Sequence, residues 1–153
     1  MGIKITKRPA TISDTEFARS VHHRAYHDVV IEQFGFWDEA LQDIFFVKGW
    51  SKETHQIIIL NDSPCGYLCV ETRQDDIHIR EIVIAPEYQN KGIGTFILSE
   101  IIEQAKVSQV PVRLGTFHKN KAVRIYQRLG FREFGKTETH ILLEWKMSDD
   151  RVK

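Results

Sequence analysis

The sequence predicts a mixed α/β domain: a central, mostly antiparallel sheet of six or seven strands flanked by about four helices. Three observations predict it. Apolar runs at 55–60, 65–71 and 77–84 follow at short spacing with turn residues between them, which makes an antiparallel meander. A helical pattern over 91–106 separates the last of these from a run at 110–114, and a crossover helix of that kind joins parallel strands. Between strand and helix lies Gln89-Asn-Lys-Gly-Ile-Gly94, a Gly-rich turn.

At 153 residues one domain, 1–153, is expected, with room for a sizeable core. A hydrophobic fraction of 42% with 27% charged residues excludes disordered and fibrous classes. Basic and acidic residues balance at 21 each, so no bulk field draws the chain to nucleic acid or an anionic membrane. No apolar run reaches the length of a membrane span and the N-terminus shows no signal-peptide pattern, so a cytoplasmic protein is expected. Cys65 and Cys69 share one strand, about 13 Å apart. That is too far for a disulfide, and two buried thiols are expected, without zinc or another metal.

Taken in order, Ile3-Lys-Ile5 suggests a short first strand. Ser13-Asp-Thr-Glu16 reads as a capping box, and Phe17, Val21, Ala25 and Val29 mark a helix over about 14–30. His23 and His27 lie one turn apart on it, but no carboxylate stands at a useful offset for a metal. Asp38 caps a second helix through Leu41, Ile44 and Phe45. The aromatics at 34–50 either line a cleft, pack that helix on the sheet, or serve a homodimer contact. Asn61-Asp-Ser-Pro64 turns the first two meander strands, and Asp75-Asp76 leads into the third.

In the strand 77–84, Ile77 and Ile79 share one parity while Ile82 and Ile84 share the other. A β-bulge near Arg80-Glu81 is the expected cause. The turn that follows is an anion site in outline. First-turn amides of a helix lack intrahelical partners and sit at the positive end of its dipole. Gly92 and Gly94 let a phosphate approach the backbone, and Lys91 adds charge. A P-loop is excluded, because no G-x-x-x-x-G-K-[ST] run exists. A dinucleotide fingerprint is excluded by Ile97, where the third glycine would stand.

Q-x-x-G-x-G over Gln89–Gly94, after a strand closed by Pro86, resembles the acetyl-CoA pyrophosphate loop of the GNAT superfamily of N-acetyltransferases. Further on, Ile93, Phe96, Ile97, Ile101 and Ala105 face one side of the 91–106 helix. Asn120 begins a last helix through Tyr126 and Leu129, ended by Gly130, before strands at 131–134 and 140–145. The run from Asn120 through Tyr126 to Phe131 is similar to the GNAT C-terminal motif. The resemblance covers 77–134 by motif and 1–76 by order of elements, as in small single-domain bacterial members.

The resemblance implies a GNAT fold whose fourth and fifth strands splay to admit acetyl-CoA. It places the pyrophosphate on Gln89, Asn90, Lys91, Gly92, Ile93, Gly94 and Thr95. It places the pantetheine arm on backbone groups of Ile82, Val83 and Ile84, with Asn120 as a further contact or a plain helix cap. Tyr126 matches the phenol that protonates the departing coenzyme A thiolate, and it is also a core position by spacing. Glu81, beside the expected bulge and flanked by isoleucines, is the candidate general base, directly or through water; His78 is the alternative.

No Cys or Ser stands in a nucleophile motif, so direct attack of a primary amine in a ternary complex is expected. Glu32, Asp38, Glu39 and Asp43 would suit a cationic small-molecule or peptide amine. A non-catalytic acyl-CoA-sensing module predicts the same loop but has no use for Glu81 and Tyr126.

Overall fold

A computed structural model of the chain describes residues 2–148; the ends of the expected 1–153 domain lie outside the described residues. Seven strands form one sheet: β1 (Ile5–Pro9), β2 (His55–Leu60), β3 (Ser63–Thr72), β4 (Ile77–Ile84), β5 (Val112–Phe117), β6 (Arg132–Lys136) and β7 (His140–Trp145), in the order β1-β2-β3-β4-β5-β7-β6. Four helices accompany them: α1 (Thr15–Phe34), α2 (Glu39–Gly49), α3 (Ile93–Ser108) and α4 (Val123–Arg128). The chain divides into two compact units, Met1–Val70 with Glu81–Gly94, and Glu71–Arg80 with Thr95–Lys153.

In the first unit, β1 is an edge strand paired antiparallel with β2, from Ile5↔Leu60 to Pro9↔Gln56. It lies later than the expected 3–5. Pro9 lacks an amide hydrogen, which an edge strand tolerates. The expected Ser13–Glu16 box is also displaced. Asp14 is the acceptor, taking the Thr11 backbone amide at 2.7 Å and the Thr11 hydroxyl at 3.1 Å. Arg8 from β1 adds a two-pronged ion pair at 2.8 and 2.9 Å. Asp14 prevails because it alone meets both the helix start and a guanidinium from the strand.

Helix α1 runs a turn beyond the expected end and stops at Gly35, whose φ of 88° is left-handed. Its Ala18 and Val21 join Phe46, Ile57, Tyr67 and Val83 in the core. Asp38 caps α2 as expected, accepting the Leu41 amide at 3.1 Å. From the 34–50 segment Phe46 is buried and Trp50 packs beside it, whereas Phe34, Phe36, Ile44, Phe45 and Val47 are exposed.

Asn61 and Asp62, with φ of 47° and 73°, close a two-residue hairpin between β2 and β3. The register slips there: Ile58 opposes Gly66 and Ile59 opposes Pro64. Cys65 is thus the extra residue of a bulge in β3. In β4 burial falls on Ile77, Ile79 and Val83, with half-buried Glu81 in the same parity. The phase argument for a bulge at Arg80–Glu81 therefore fails, because Glu81 itself fills an inward-row position. A Cβ on Gly66 would collide with the Val83 carbonyl oxygen and stand 3.1 Å from Ile84 Cα. Glycine here sets how closely β3 backs the end of β4.

In the second unit, β4 and β5 pair in parallel through Ile77↔Val112, His78↔Arg113 and Ile79↔Leu114, and these three pairs are the whole ladder. β5 starts after Pro111, two residues later than expected. β7 pairs antiparallel with both β5 and β6. On α3 the buried residues include Leu98 and Ile102, whereas Phe96 is exposed, so the stripe is rotated from the expected one. Asp76, read from sequence as a turn residue, is buried and bound by Arg73 at 2.7 and 2.9 Å and by Arg113 at 3.2 Å.

Two stability outcomes follow. The Arg8 guanidinium, with Thr11, holds the Asp14 carboxyl down at about 2 from its ordinary 3.8. A depressed carboxyl stabilises the fold above its unfolded value and loses that contribution as pH falls through the folded one. Asp14→Asn should therefore cost on the order of 1–2 kcal/mol at pH 7, discounted for the exposed Arg8. Urea titrations should show the gap closing between pH 4 and pH 2. Gly66→Ala should cost about 1–3 kcal/mol in the same assay, and an unchanged midpoint would contradict the close approach to Val83.

Candidate active site

Glu81 faces inward from β4 with a quarter of its side chain exposed. A carboxylate in that row needs donors, and two neighbouring elements supply them. From α1 the Tyr26 hydroxyl donates to Oε2 at 3.2 Å, and from β3 the Tyr67 hydroxyl donates to the same oxygen at 3.4 Å. From β2, His55 sets Nε2 at 3.5 Å from Oε1. Trp50 covers the group, its ring 4.6 Å from His55 and edge-on to Tyr67 at 5.3 Å.

Burial, followed by the charge of Glu81, pushes the Tyr67 phenol well above its ordinary value, so it is a donor at neutral pH. Burial likewise brings the His22 imidazole on α1 down to about 4, which leaves it neutral. The sequence reading singled out Glu81 but missed Tyr26, Tyr67 and His55. The signal was present in His55 and Tyr67, two polar-tipped residues beside the apolar runs of β2 and β3.

The predicted anion loop lies in the same unit. Pro86–Tyr88 make one 3-10 turn, and the Gln89 side chain donates to the Ile84 carbonyl at 3.0 Å, tying the loop to the strand end. Asn90 and Gly92 follow with φ of 63° and 83°, both left-handed. This turns the chain so that α3 starts at Ile93, whose side chain is buried and anchors the helix start. Gln89 to Gly92 are exposed, and a Cβ on Gly92 or Gly94 would meet nothing within 4 Å. The open approach expected of these glycines is present. Val83 is buried, and Ile82 and Ile84 are half-buried.

The other sequence candidates belong to the second unit. Tyr126 is buried on α4, edge-on to Phe131 at 5.7 Å, and burial pushes its phenol up to about 12. Asn120 precedes α4 by three residues; its Oδ1 accepts the Ala122 amide at 2.9 Å and its Nδ2 donates to Thr116 at 2.7 Å. It closes a local turn ahead of the helix, whose first residue is Val123, so the expected start at Asn120 is corrected. Thr95 is exposed on the first turn of α3. His78 is half-buried, and burial with Arg73 nearby lowers its imidazole.

Packing of α1 on α2 brings Glu39 and Asp43 to His23, a grouping that sequence offsets did not reveal. The three offer ligand atoms within 4.8 Å of one another. His23 Nε2 lies 2.7 Å from Asp43 Oδ1, and His22 Nδ1 lies 2.9 Å from His23 Nδ1. Arg19 donates to Asp43 at 2.8 Å and to Glu39 at 3.2 Å. Its guanidinium already supplies the positive charge these carboxylates need, so the group is an ion-pair network. Cys65 and Cys69 are buried and in no disulfide, and burial pushes the Cys65 thiol up to about 11, away from nucleophilic use. Among the described residues no helix is long and apolar enough to cross a membrane.

Known proteins resemble this chain in sequence and in fold. N-acetylaspartate synthetase of Danio rerio is 30% identical over 90 residues, 56% of this chain and 32% of that protein. The [ribosomal protein bS18]-alanine N-acetyltransferase of Haemophilus influenzae is 31% identical over 77 residues, 50% of this chain and 53% of that protein. The chain thus spans about a third to a half of the length of these relatives. The crystal structure of PaiA N-acetyltransferase from Thermoplasma acidophilum, in complex with coenzyme A, shares the fold. It has a TM-score of 0.77 at 19% identity, covering 96% of this chain and 100% of that one. Residues 51–133, more than half of the chain, match the acetyltransferase (GNAT) domain. The chain belongs to the GNAT acetyltransferase family.

Proposed function

We propose that the chain is one N-acetyltransferase domain that moves an acetyl group from acetyl-CoA to a primary amine. The observation that carries this reading is the exposed turn at Gln89–Gly94, with two left-handed residues ahead of α3 and open space at both glycines. Its geometry suits a pyrophosphate held by backbone amides of Asn90 to Thr95 at the positive end of α3, with Lys91 beside it. The coenzyme A bound by the Thermoplasma relative supports the same donor. The two curated relatives, named for N-acetylaspartate and for an alanine of ribosomal protein bS18, support an amine acceptor.

Glu81 is the base in this reading. It takes a proton from the acceptor ammonium, and the neutral amine attacks the thioester carbonyl directly. Backbone groups of Ile82, Val83 and Ile84 align the pantetheine arm, in keeping with a β4–β5 ladder confined to Ile77–Ile79. The C–S bond breaks as the C–N bond forms; Tyr126 gives its phenolic proton to the coenzyme A thiolate, and the second proton, shed by the acylated nitrogen, restores the phenol. A phenol at about 12 is protonated at neutral pH, as an acid must be. The raised Cys65 thiol weighs against an acetyl-cysteine intermediate.

Titration calorimetry tests the donor site. Acetyl-CoA should bind and NADH should not, and Gly92→Glu, which puts strain and negative charge at a left-handed position, should abolish binding. No acetyl-CoA binding by the unaltered protein would reduce Gln89–Gly94 to a structural turn. Amine screening by free-thiol release tests the chemistry. Glu81→Gln and Tyr126→Phe should each lower kcat by on the order of 10²-fold, with acetyl-CoA affinity kept. Acetyl-CoA binding without turnover of any amine would favour an acyl-CoA-sensing module, and unchanged turnover in both variants would remove Glu81 and Tyr126 from the chemistry.

A further inference from the structure

We propose that Tyr26 and Tyr67 are the positioning residues of Glu81: their two hydroxyls hold Oε2 and leave Oε1 as the oxygen that meets the acceptor ammonium. The proposal rests on the reading of Glu81 as the base. The carboxylate is engaged unequally. Oε2 accepts the Tyr26 hydroxyl at 3.2 Å and the Tyr67 hydroxyl at 3.4 Å. The polar atom beside Oε1 is His55 Nε2, 3.5 Å away, and that nitrogen has no hydrogen-bond partner. An oxygen that already accepts two donors has its lone-pair sites filled, so an incoming proton goes to Oε1.

A glutamate side chain turns about several bonds and is a poor base unless something holds it. The hold comes from two separate elements, α1 and β3. Tyr67 has no room to give way: its ring is fully buried, edge-on to Trp50 at 5.3 Å and tilted on His55 at 5.7 Å. A buried phenol left without an acceptor is costly, so Tyr67 keeps Glu81 from turning away. Tyr26 is half-buried, with its ring 4.7 Å from that of His22. Both contacts are longer than the roughly 2.7–2.8 Å usual for hydroxyl donors. Catalytic hydrogen bonds of that kind tighten when substrate is bound. A quarter of the Glu81 side chain is exposed, which gives an acceptor access to it.

In the transfer step an N–H bond of the acceptor ammonium breaks as its proton passes to Oε1, and the nitrogen lone pair becomes free for the thioester carbonyl carbon. The two phenolic protons stay on their own oxygens throughout, donated to Oε2. When product leaves, the proton on Oε1 passes to solvent and the carboxylate is restored. The tyrosines touch no substrate in this scheme. They fix the direction in which Oε1 points, and a misplacement of about 1 Å at such an atom can cost on the order of 10²-fold in rate.

The carboxyl ¹³C resonance of Glu81 in the whole protein, assigned by its loss in Glu81→Gln, reads the hydroxyl contacts without any substrate. It should move in Tyr26→Phe and in Tyr67→Phe, each of which deletes one hydroxyl and keeps the ring. A resonance unmoved in both would overturn the proposal. Turnover of the amine that releases most free thiol from acetyl-CoA reads the use of the contacts. Each variant should lower kcat by on the order of 10-fold and keep the KM for acetyl-CoA. Neither should lower kcat further in the Glu81→Gln background, where the oxygen they aim no longer serves a base. An equal loss in both backgrounds would reduce the tyrosines to structural residues. Fully active Phe variants beside an impaired Glu81→Gln would overturn the positioning role and leave the base reading standing. A fully active Glu81→Gln, or a protein that turns over no amine, would overturn the base reading itself and the proposal with it.

Discussion

A carboxylate in the inward row of a strand must be hydrogen-bonded or the strand will not pack, and Glu81 imposes that requirement on its whole unit. Two phenols come from α1 and β3 to meet it, and an imidazole from β2 stands 3.5 Å from its other oxygen. Each carries its own condition. Tyr67 is fully buried, so its hydroxyl has to point at the carboxylate. His55 is fixed by the Ser51–Thr54 turn, which places the start of β2. Trp50 shields the group from the α2 side. One polar residue on β4 thereby selects side chains on four other segments.

The same requirement explains what the sequence revealed and where it misled. The order and bounds of β2, β4 and β7 follow directly from apolar runs between turn residues, and the Gly-rich turn announces itself by composition. Glu81 was singled out for a reason the structure does not support. Ile77, Ile79, Ile82 and Ile84 suggested a change of phase, yet the buried parity continues through Glu81 to Val83. Hydrophobicity counting treats an inward carboxylate as an outward one. Its partners are scattered from residue 26 to residue 67, and contacts of that separation leave no periodic trace. Asp76 was misread in the same manner, as a turn residue, and Asp14 was passed over in favour of Ser13 and Glu16; each is a buried anion bound by arginine.

Helix ends show a more local limit. Gly35 and Gly130, with φ of 88° and 103°, stop their helices where a left-handed residue is required. The starts are less legible, because Ser, Thr, Asp and Asn all cap. At α1 four such residues crowd 11–15, and the contact with Arg8 decides among them. At α4 Asn120 caps a turn that the helix joins three residues later.

The acidic residues of the 31–50 segment carry a final consequence for acceptor choice. Counted in sequence, Glu32, Asp38, Glu39 and Asp43 offer a negative field to a cationic amine, and Glu32 stays exposed. In the fold Asp38 is spent on the α2 cap, and Asp43 and Glu39 are bound by Arg19, with His23 also on Asp43. Glu39 takes the Trp37 indole N–H as well, at 2.8 Å. Paired exposed charges exert little field beyond a Debye length. Beside these charges the segment also presents Phe34, Phe36, Ile44, Phe45 and Val47 to solvent. Shape and apolar contact therefore have more to offer an acceptor there than charge, and Glu81 remains the carboxylate whose partners are neutral hydroxyls and an imidazole rather than arginine.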